Sequence, residues 1–309
     1  MTQADDNQAR LASGLARDEI LVLLREAEPR RMTNLAVSLN LSGGLFFMLL
    51  GRAPLQGSFL WPIVACIAAF MVWKLSNRLW RDIALASVAQ PIGQAWGQSQ
   101  FASGWGAVDI EKWIADLFSS EGKRFTAWES QGKHRDIAYR LNESTIWRRR
   151  HNQKRNEIFY LMQVEIAVPQ SFAGTVELLP KSGLPTFIDD FFQKVSGDDM
   201  RRQPVDPGFD AVFDTMVSAN ASTDKLLTPG FRDAMLKLAA RNPQSYLSGR
   251  FEHGRFNLRL PIPHLVFASA SLLKPMEALL DDVDTLWWDL TIPHRLIDSL
   301  MGDHDGPLR

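Results

Sequence analysis

A single cysteine, Cys66, stands in 309 residues, so no intrachain disulfide can form. A lone thiol fits a reducing compartment for any soluble part, and it leaves no Cys/His set with zinc-type spacing. Histidine is scarce as well: His134, His151, His253, His264, His294 and His304, with no two at i, i+4 on one helix face and no HExxH. The phosphate loop GxxxxGK[ST], the dinucleotide fingerprint GxGxxG and the nucleophile elbow GxSxG are all missing. No catalytic residue, metal or cofactor is therefore expected from local motifs. Net charge is nearly absent too, 34 basic against 35 acidic residues giving −1. That balance offers no general attraction to nucleic acid.

The most informative absence is local. No charged residue occurs from position 32 to 51, and none from 53 to 73. A helix needs about 20 mainly apolar residues to cross a hydrocarbon core of roughly 30 Å, so the sequence predicts a transmembrane hairpin over 32–74, with spans at about 32–51 and 57–73. A cleaved signal peptide would carry its apolar run nearer the start, whereas here a polar segment with acidic residues comes first. Buried helices of a soluble core are a further alternative. The ten residues from Trp61 to Phe70 without a polar side chain, and the Arg and Lys clusters at the flanks, argue against it.

Those flanks give a direction. Arg17, Arg25, Arg30 and Arg31 precede the first span, Lys74, Arg78 and Arg81 follow the second, and the loop 51–57 has only Arg52. Basic residues accumulate on the cytoplasmic side of short flanks, so both termini are expected in the cytoplasm and the loop outside. Within the bilayer, Asn40 needs a hydrogen-bond partner, and Gly43, Gly44, Ala65 and Ala69 allow close helix approach. They serve either packing of the hairpin on itself or association of copies in the membrane.

The remaining chain reads as a polar or amphipathic N-terminal segment over 1–31, with a short amphipathic helix expected up to Pro29, an α+β domain over 75–301 and a flexible tail over 302–309. A juxtamembrane helix over 75–90 is expected to continue the second span until Pro91 and Gly93 end it. Helices are also expected over 107–118 and over 186–195, where Phe187, Ile188, Phe191, Phe192 and Val195 share a face. A further helix opens at Thr228-Pro229, a good start signal. Residues 273–300 form the last, which Pro293 should kink or split.

Strands are expected at 123–129, with a turn at Gln131–Gly132, then at 137–141, 145–147 and 157–168, with 173–179 completing an antiparallel meander. Residues 158–161 are apolar on both faces, as in a strand covered on both sides. Residues 209–217 read as helical or mixed, and 246–251 with 255–260 as a hairpin.

Between two strands lie Arg148, Arg149, Arg150, Lys154 and Arg155, five fixed positive charges in eight residues. Anionic lipid or a protein partner would suit them, and so would plain solvent at a hairpin tip. Asp281, Asp282 and Asp284, like Asp189 and Asp190, read as solvated helix faces, their spacing matching no calcium loop. His264 and His294 each follow a proline and are expected in turns.

The order of these features resembles a known family. Two spans, then Phe172-Ala173-Gly174-Thr175-Val176-Glu177-Leu178-Leu179-Pro180, then Leu226-Leu227-Thr228-Pro229, then the strand 254–260, resemble bacterial membrane proteins of the domain of unknown function 3137 family. The resemblance covers the chain from about residue 30 and implies a two-pass inner-membrane protein with a cytoplasmic α+β domain and no assigned reaction. The acidic and aromatic run that often precedes the family's Leu-Thr-Pro motif is replaced here by residues 218–225, so no role of that run carries over. The expected function is a membrane-tethered interaction or assembly module, with the bilayer, a protein partner at the cytoplasmic face or further copies of the chain as partners. A membrane-anchored enzyme or small-ligand-binding domain, or an anionic-lipid sensor, is the alternative.

Overall fold

The structure is a computed structural model that describes residues 16–51, 60–95, 98–103, 123–149, 156–181, 200–241 and 246–302. It is α+β: two long apolar helices precede a nine-stranded antiparallel sheet and further helices. The expected helices at 107–118 and 186–195 lie outside the described residues.

Two compact units divide the chain. One comprises 13–92 and 266–287, the other 1–12, 93–265 and 288–309. In the first unit, α1 (Ala16–Leu50) and α2 (Leu60–Ala95) are longer than the expected spans. Their segments Asp18–Leu50 and Leu60–Gln94 are long and apolar enough to cross a membrane. Only 6% of each apolar window is buried, which argues against helices enclosed in a soluble core. Phe47, Met48, Ile63, Ile67 and Phe70 all turn outward.

Two proline expectations are corrected. Pro29 sits inside α1 and Pro91 inside α2, and neither ends its helix. A proline removes its own N–H bond to the carbonyl four residues back and its ring crowds that carbonyl, a local cost that the long apolar or packed flanks on both sides outweigh. Three polar side chains of α1 bond to carbonyls of the helix itself. Thr33 Oγ1 donates to the Pro29 carbonyl at 3.0 Å, Asn34 Nδ2 to Arg30 at 2.9 Å and Ser38 Oγ to Asn34 at 2.6 Å.

Polar residues of α1 and α2 hold the segment 271–277. Asn77 Oδ1 accepts from the Leu272 N–H at 2.8 Å and from Ser271 Oγ at 3.2 Å. The Arg31 guanidinium donates to the Leu272 carbonyl, and Glu28, paired with Arg31, accepts from the Met276 N–H at 2.9 Å. Arg25 pairs with Glu277 at 2.8 Å. Buried apolar positions recur at helical spacing in this unit: Ile20, Leu24 and Ala27; Trp80, Ala84 and Val88; Met276, Leu279, Val283 and Leu286. A short 3-10 turn, Met276–Leu279, leads into the last helix, α5 (Leu280–Leu300), which runs through Pro293 undivided.

In the second unit the sheet is built from β1 (Gln98–Ser103), β2 (Lys123–His134), β3 (Ile137–Arg149), β4 (Asn156–Ala167), β5 (Val176–Pro180), β6 (Arg201–Arg202), β7 (Phe213–Val217), β8 (Ser248–Glu252) and β9 (Arg255–Ile262). Their order is β1-β2-β3-β4-β9-β8-β5-β7-β6. The expected strands at 137–141 and 145–147 are one strand, and the expected meander stops at β4. There β9 takes the next place, because Phe256, Leu258 and Leu260 register with Ile166, Val164 and Met162 on one apolar face. β5 pairs with β7 and β8 instead.

The turn expected at Gln131–Gly132 lies at Arg135–Asp136, where both residues have positive φ, 50° and 63°. Such a two-residue turn matches the right-handed twist of the hairpin. Ile158 is exposed, so the doubly covered stretch of β4 is not 158–161; buried positions run from Leu161 to Ile166. Residues 209–217 resolve into the one-turn α3 (Pro207–Asp210), capped by Asp206, and β7. Thr228 caps α4 (Pro229–Arg241), its Oγ1 accepting from the Phe231 N–H at 3.2 Å.

Cross-strand register places one set of side chains on the buried face: Trp128, Leu141, Val164, Leu258, Phe251, Val176 and Val217 among them. The opposite face carries Arg140, Glu165, Asn257, Arg250 and Glu177 in one continuous cross-strand row. Arg250 is nonetheless buried, and its guanidinium is held by Glu252 at 2.8 and 3.0 Å.

Replacing Asn77 by alanine removes the acceptor of a buried N–H, a loss on the order of 1–3 kcal/mol. Hydrogen exchange of Leu272 in detergent is expected to accelerate while exchange in β3 and β4 stays unchanged; equal exchange at Leu272 in both proteins would refute the clasp.

Candidate functional site

The apolar floor of the sheet is interrupted along one line. On β2 and β3 the buried face carries His134, Tyr139 and Glu143, set by the register His134↔Ile137 and by the alternation Ile137, Tyr139, Leu141, Glu143. The second unit's part of α5 supplies Asp289, His294 and Asp298, all buried. These six residues form a polar seam in a mainly apolar interior.

At one end, Asp298 is 2% exposed and receives His134 Nε2 at 2.8 Å and Arg135 Nε at 2.9 Å, both on Oδ1. Among the described residues its Oδ2 has no hydrogen-bond partner. The positive φ of Arg135 makes this reach possible, because the turn lifts the side chain out of the strand alternation. In the middle, the His134 and His294 rings stack with centroids 4.3 Å apart and planes 17° from parallel. His294 Nε2 and the Tyr139 hydroxyl share a hydrogen bond of 3.2 Å. At the other end, Asp289 on α5 feels the charge of Glu143 on β3.

The electrostatics follow from burial. His294 is pushed down to about 3, chiefly because burial opposes its charged form and secondly because His134 lies stacked upon it. It is neutral throughout the physiological range. Asp289 is pushed well above the usual carboxylate range by burial and then by Glu143, with Arg241 pulling the other way. A carboxyl group held in that way can donate a hydrogen bond, which an ionised one cannot. Chemically, the seam offers a histidine oriented by a buried carboxylate, the arrangement that fixes a tautomer for proton transfer. Among the described residues no group of three His, Cys, Asp or Glu is placed to hold a metal ion.

The residues singled out from the sequence lie elsewhere. Asn40 is exposed on α1, and a Cβ added at Gly43 or Gly44 would meet nothing within 4 Å. Ala65 is fully buried and Ala69 half-buried. Arg148 and Arg149 end β3, in register with Glu157 and Asn156, while Arg150, Lys154 and Arg155 lie outside the described residues. Asp281 and Asp284 are exposed and Asp282 half-buried, opposite the buried Val283. Asp282 accepts from Ser269 Oγ. His264 sits in an exposed bend as expected, but His294 does not sit in a turn. It lies inside α5, because Pro293 is accommodated in the helix. The seam was missed for that reason, and because its partners are as many as 164 residues apart. The one available signal was His294 and Asp298 at i, i+4.

The class that this architecture defines is an α+β protein with two helices of membrane-crossing length, which fits a membrane protein. No family model, curated protein or solved structure matches the chain.

The neutral state of His294 has a pH consequence with a definite sign. Its folded pKa lies below the ordinary value near 6.5, so the unfolded chain binds a proton that the fold refuses. Stability contributed by neutral His294 is present above pH 6.5 and is lost as pH falls toward 3, by roughly 2 kcal/mol at pH 5. His294→Gln keeps a hydrogen-bonding group for Tyr139 and removes the titration. Its thermal midpoint is expected to change less between pH 7 and pH 5 than that of the parent, and an unaltered acid slope would rule this cause out.

Proposed function

We propose that the chain is an integral protein of the bacterial inner membrane that acts as a membrane-tethered assembly module. In this reading it is akin to the two-pass family it resembles, with both termini and the sheet in the cytoplasm. The observation that carries the reading is Asn40. It lies near the middle of the first apolar run, is exposed, and makes no side-chain hydrogen bond among the described residues, unlike Thr33, Asn34 and Ser38 on the same helix. In hydrocarbon an amide without a partner is costly, and a second copy supplies one at the same depth. Gly43 and Gly44, open to their surroundings, let another helix backbone approach there. Ala65 is already used inside the chain, so the hairpin's own packing and the association surface are different faces of it.

Interhelical hydrogen bonds in membranes are worth about 0.6–2 kcal/mol. Asn40→Leu is therefore expected to weaken self-association by roughly 3- to 30-fold, by dilution in bilayers with single-molecule counting of copies. A parent protein that stays monomeric at every density would overturn the proposal, and so would a variant that associates equally well.

The orientation rests on the basic flanks and on a loop with only Arg52. Protease added to inside-out vesicles is expected to remove the sheet domain, and protease outside intact spheroplasts is expected to spare it. The reverse pattern would invert the topology.

A further inference from the structure

A second polar feature of the sheet-bearing unit lies beside the seam. The guanidinium carbon of Arg241, the last residue of α4, sits 4.1 Å from the ring centroid of Trp288, and that of Arg295 sits 5.2 Å from the same centroid. Two like charges therefore share one indole. Neither forms an ion pair with any described carboxylate, although Arg31, Arg232 and Arg250 each have one. Asp289 feels the charge of Arg241 without pairing with it.

Arg295 is half-buried, and its own tendency to stay charged is lowered by that burial and then by Arg241. Desolvating a cation beside another cation is unfavourable unless an anion compensates it. The local geometry also leaves the guanidinium available. Arg295 Nε donates to Thr291 Oγ1 at 3.2 Å, and Thr291 Oγ1 in turn donates to the Trp288 carbonyl at 2.7 Å. This pins the planar group by its inner nitrogen, while the two terminal nitrogens keep the fork that matches an oxyanion. Stacking on the indole holds both guanidiniums without consuming a donor.

We propose that Arg241, Arg295 and Trp288 form a receptor for a phosphate group. A phosphate monoester carries about −1.5 to −2 charges at neutral pH and three acceptor oxygens. It thereby balances two guanidiniums, where a carboxylate would balance one. The phosphate can belong to a soluble ion or ester, or to a phosphomonoester lipid headgroup, and the two sources separate experimentally.

The test is calorimetric titration of the full-length protein in detergent with inorganic phosphate in one arm and dioctanoyl phosphatidic acid in the other. Arg241→Ala, Arg295→Met and, as a control, Arg202→Ala, whose guanidinium pairs with Asp214 on β7, are titrated alongside. At least one probe is expected to bind the parent, and its affinity is expected to fall about tenfold or more in Arg241→Ala and Arg295→Met but not in Arg202→Ala. The tighter arm names the source. Arg241 is exposed, so its removal tests binding even if Arg295→Met fails to fold. Absence of binding of both probes up to about 10 mM overturns the proposal, as does binding of equal strength in Arg241→Ala and the parent.

Discussion

The peptide group at Leu272 is held from two sides, its carbonyl by Arg31 of α1 and its N–H by Asn77 of α2. Leu272 itself is fully buried. These two bonds, with Glu28 on the Met276 N–H, close a chain segment of more than two hundred residues in sequence onto the helix pair. Each is worth about 1 kcal/mol net, but leaving a buried partner unsatisfied costs about 1–3 kcal/mol. The arrangement is therefore self-enforcing: breaking one contact strands a backbone group or a charge. It also explains why Arg31 tolerates burial at the edge of an apolar run, since it has both a carboxylate and a carbonyl to spend its donors on. The helix pair thus ends in a folded protein unit and not in a loose tether.

The sheet-bearing unit meets the same demand differently. Its buried face is apolar across most strands, and its polar seam is confined to the line between α5 and the β2–β3 hairpin. Apolar contacts are non-directional, whereas His134–Asp298 and Tyr139–His294 each have one productive geometry. The seam therefore fixes the position of α5 along the hairpin. Its two perturbed groups act in opposite directions with pH. Neutral His294 weakens the fold as pH falls below 6.5, while Asp289, raised by burial and Glu143, weakens it as pH rises above the unfolded carboxylate value.

Much of the architecture was legible because it rests on periodicity. The two apolar runs became α1 and α2, and the alternation of Phe256, Leu258 and Leu260 became β9. What failed was punctuation. Pro29 and Pro91 were read as stops and Pro293 as a kink or split, yet each is embedded in a helix whose flanks are held by an apolar run or by packing, which outweighs the local cost of the proline. Gly132 was read as a turn, while the turn formed three residues later at Arg135–Asp136, where Asp298 recruits the arginine. Strand neighbours were illegible in principle: β9 displaces β5 beside β4 through side-chain register, which no local pattern encodes. The seam was invisible for the same reason, since its hydrogen bonds join residues more than 150 positions apart.

The polar residues with partners define what is unusual about those without. Asn34 and Ser38 bond carbonyls of their own helix, so Asn40, one turn or so further on, could have done the same and does not. Arg31 and Arg250 are buried with carboxylates at hand, so the pairing of Arg241 with Arg295 over Trp288 is not the usual solution in this fold. In both places the chain has shown, a few residues away, that it can satisfy such a group internally. In both proposals we read a strongly polar group that has no partner among the described residues, beside satisfied ones, as a place for an external partner. Asn40 directs that argument to another helix in the bilayer, because an amide both donates and accepts and so pairs with its own kind. The two arginines direct it to an oxyanion, because guanidinium only donates and its charge must be met by the opposite sign.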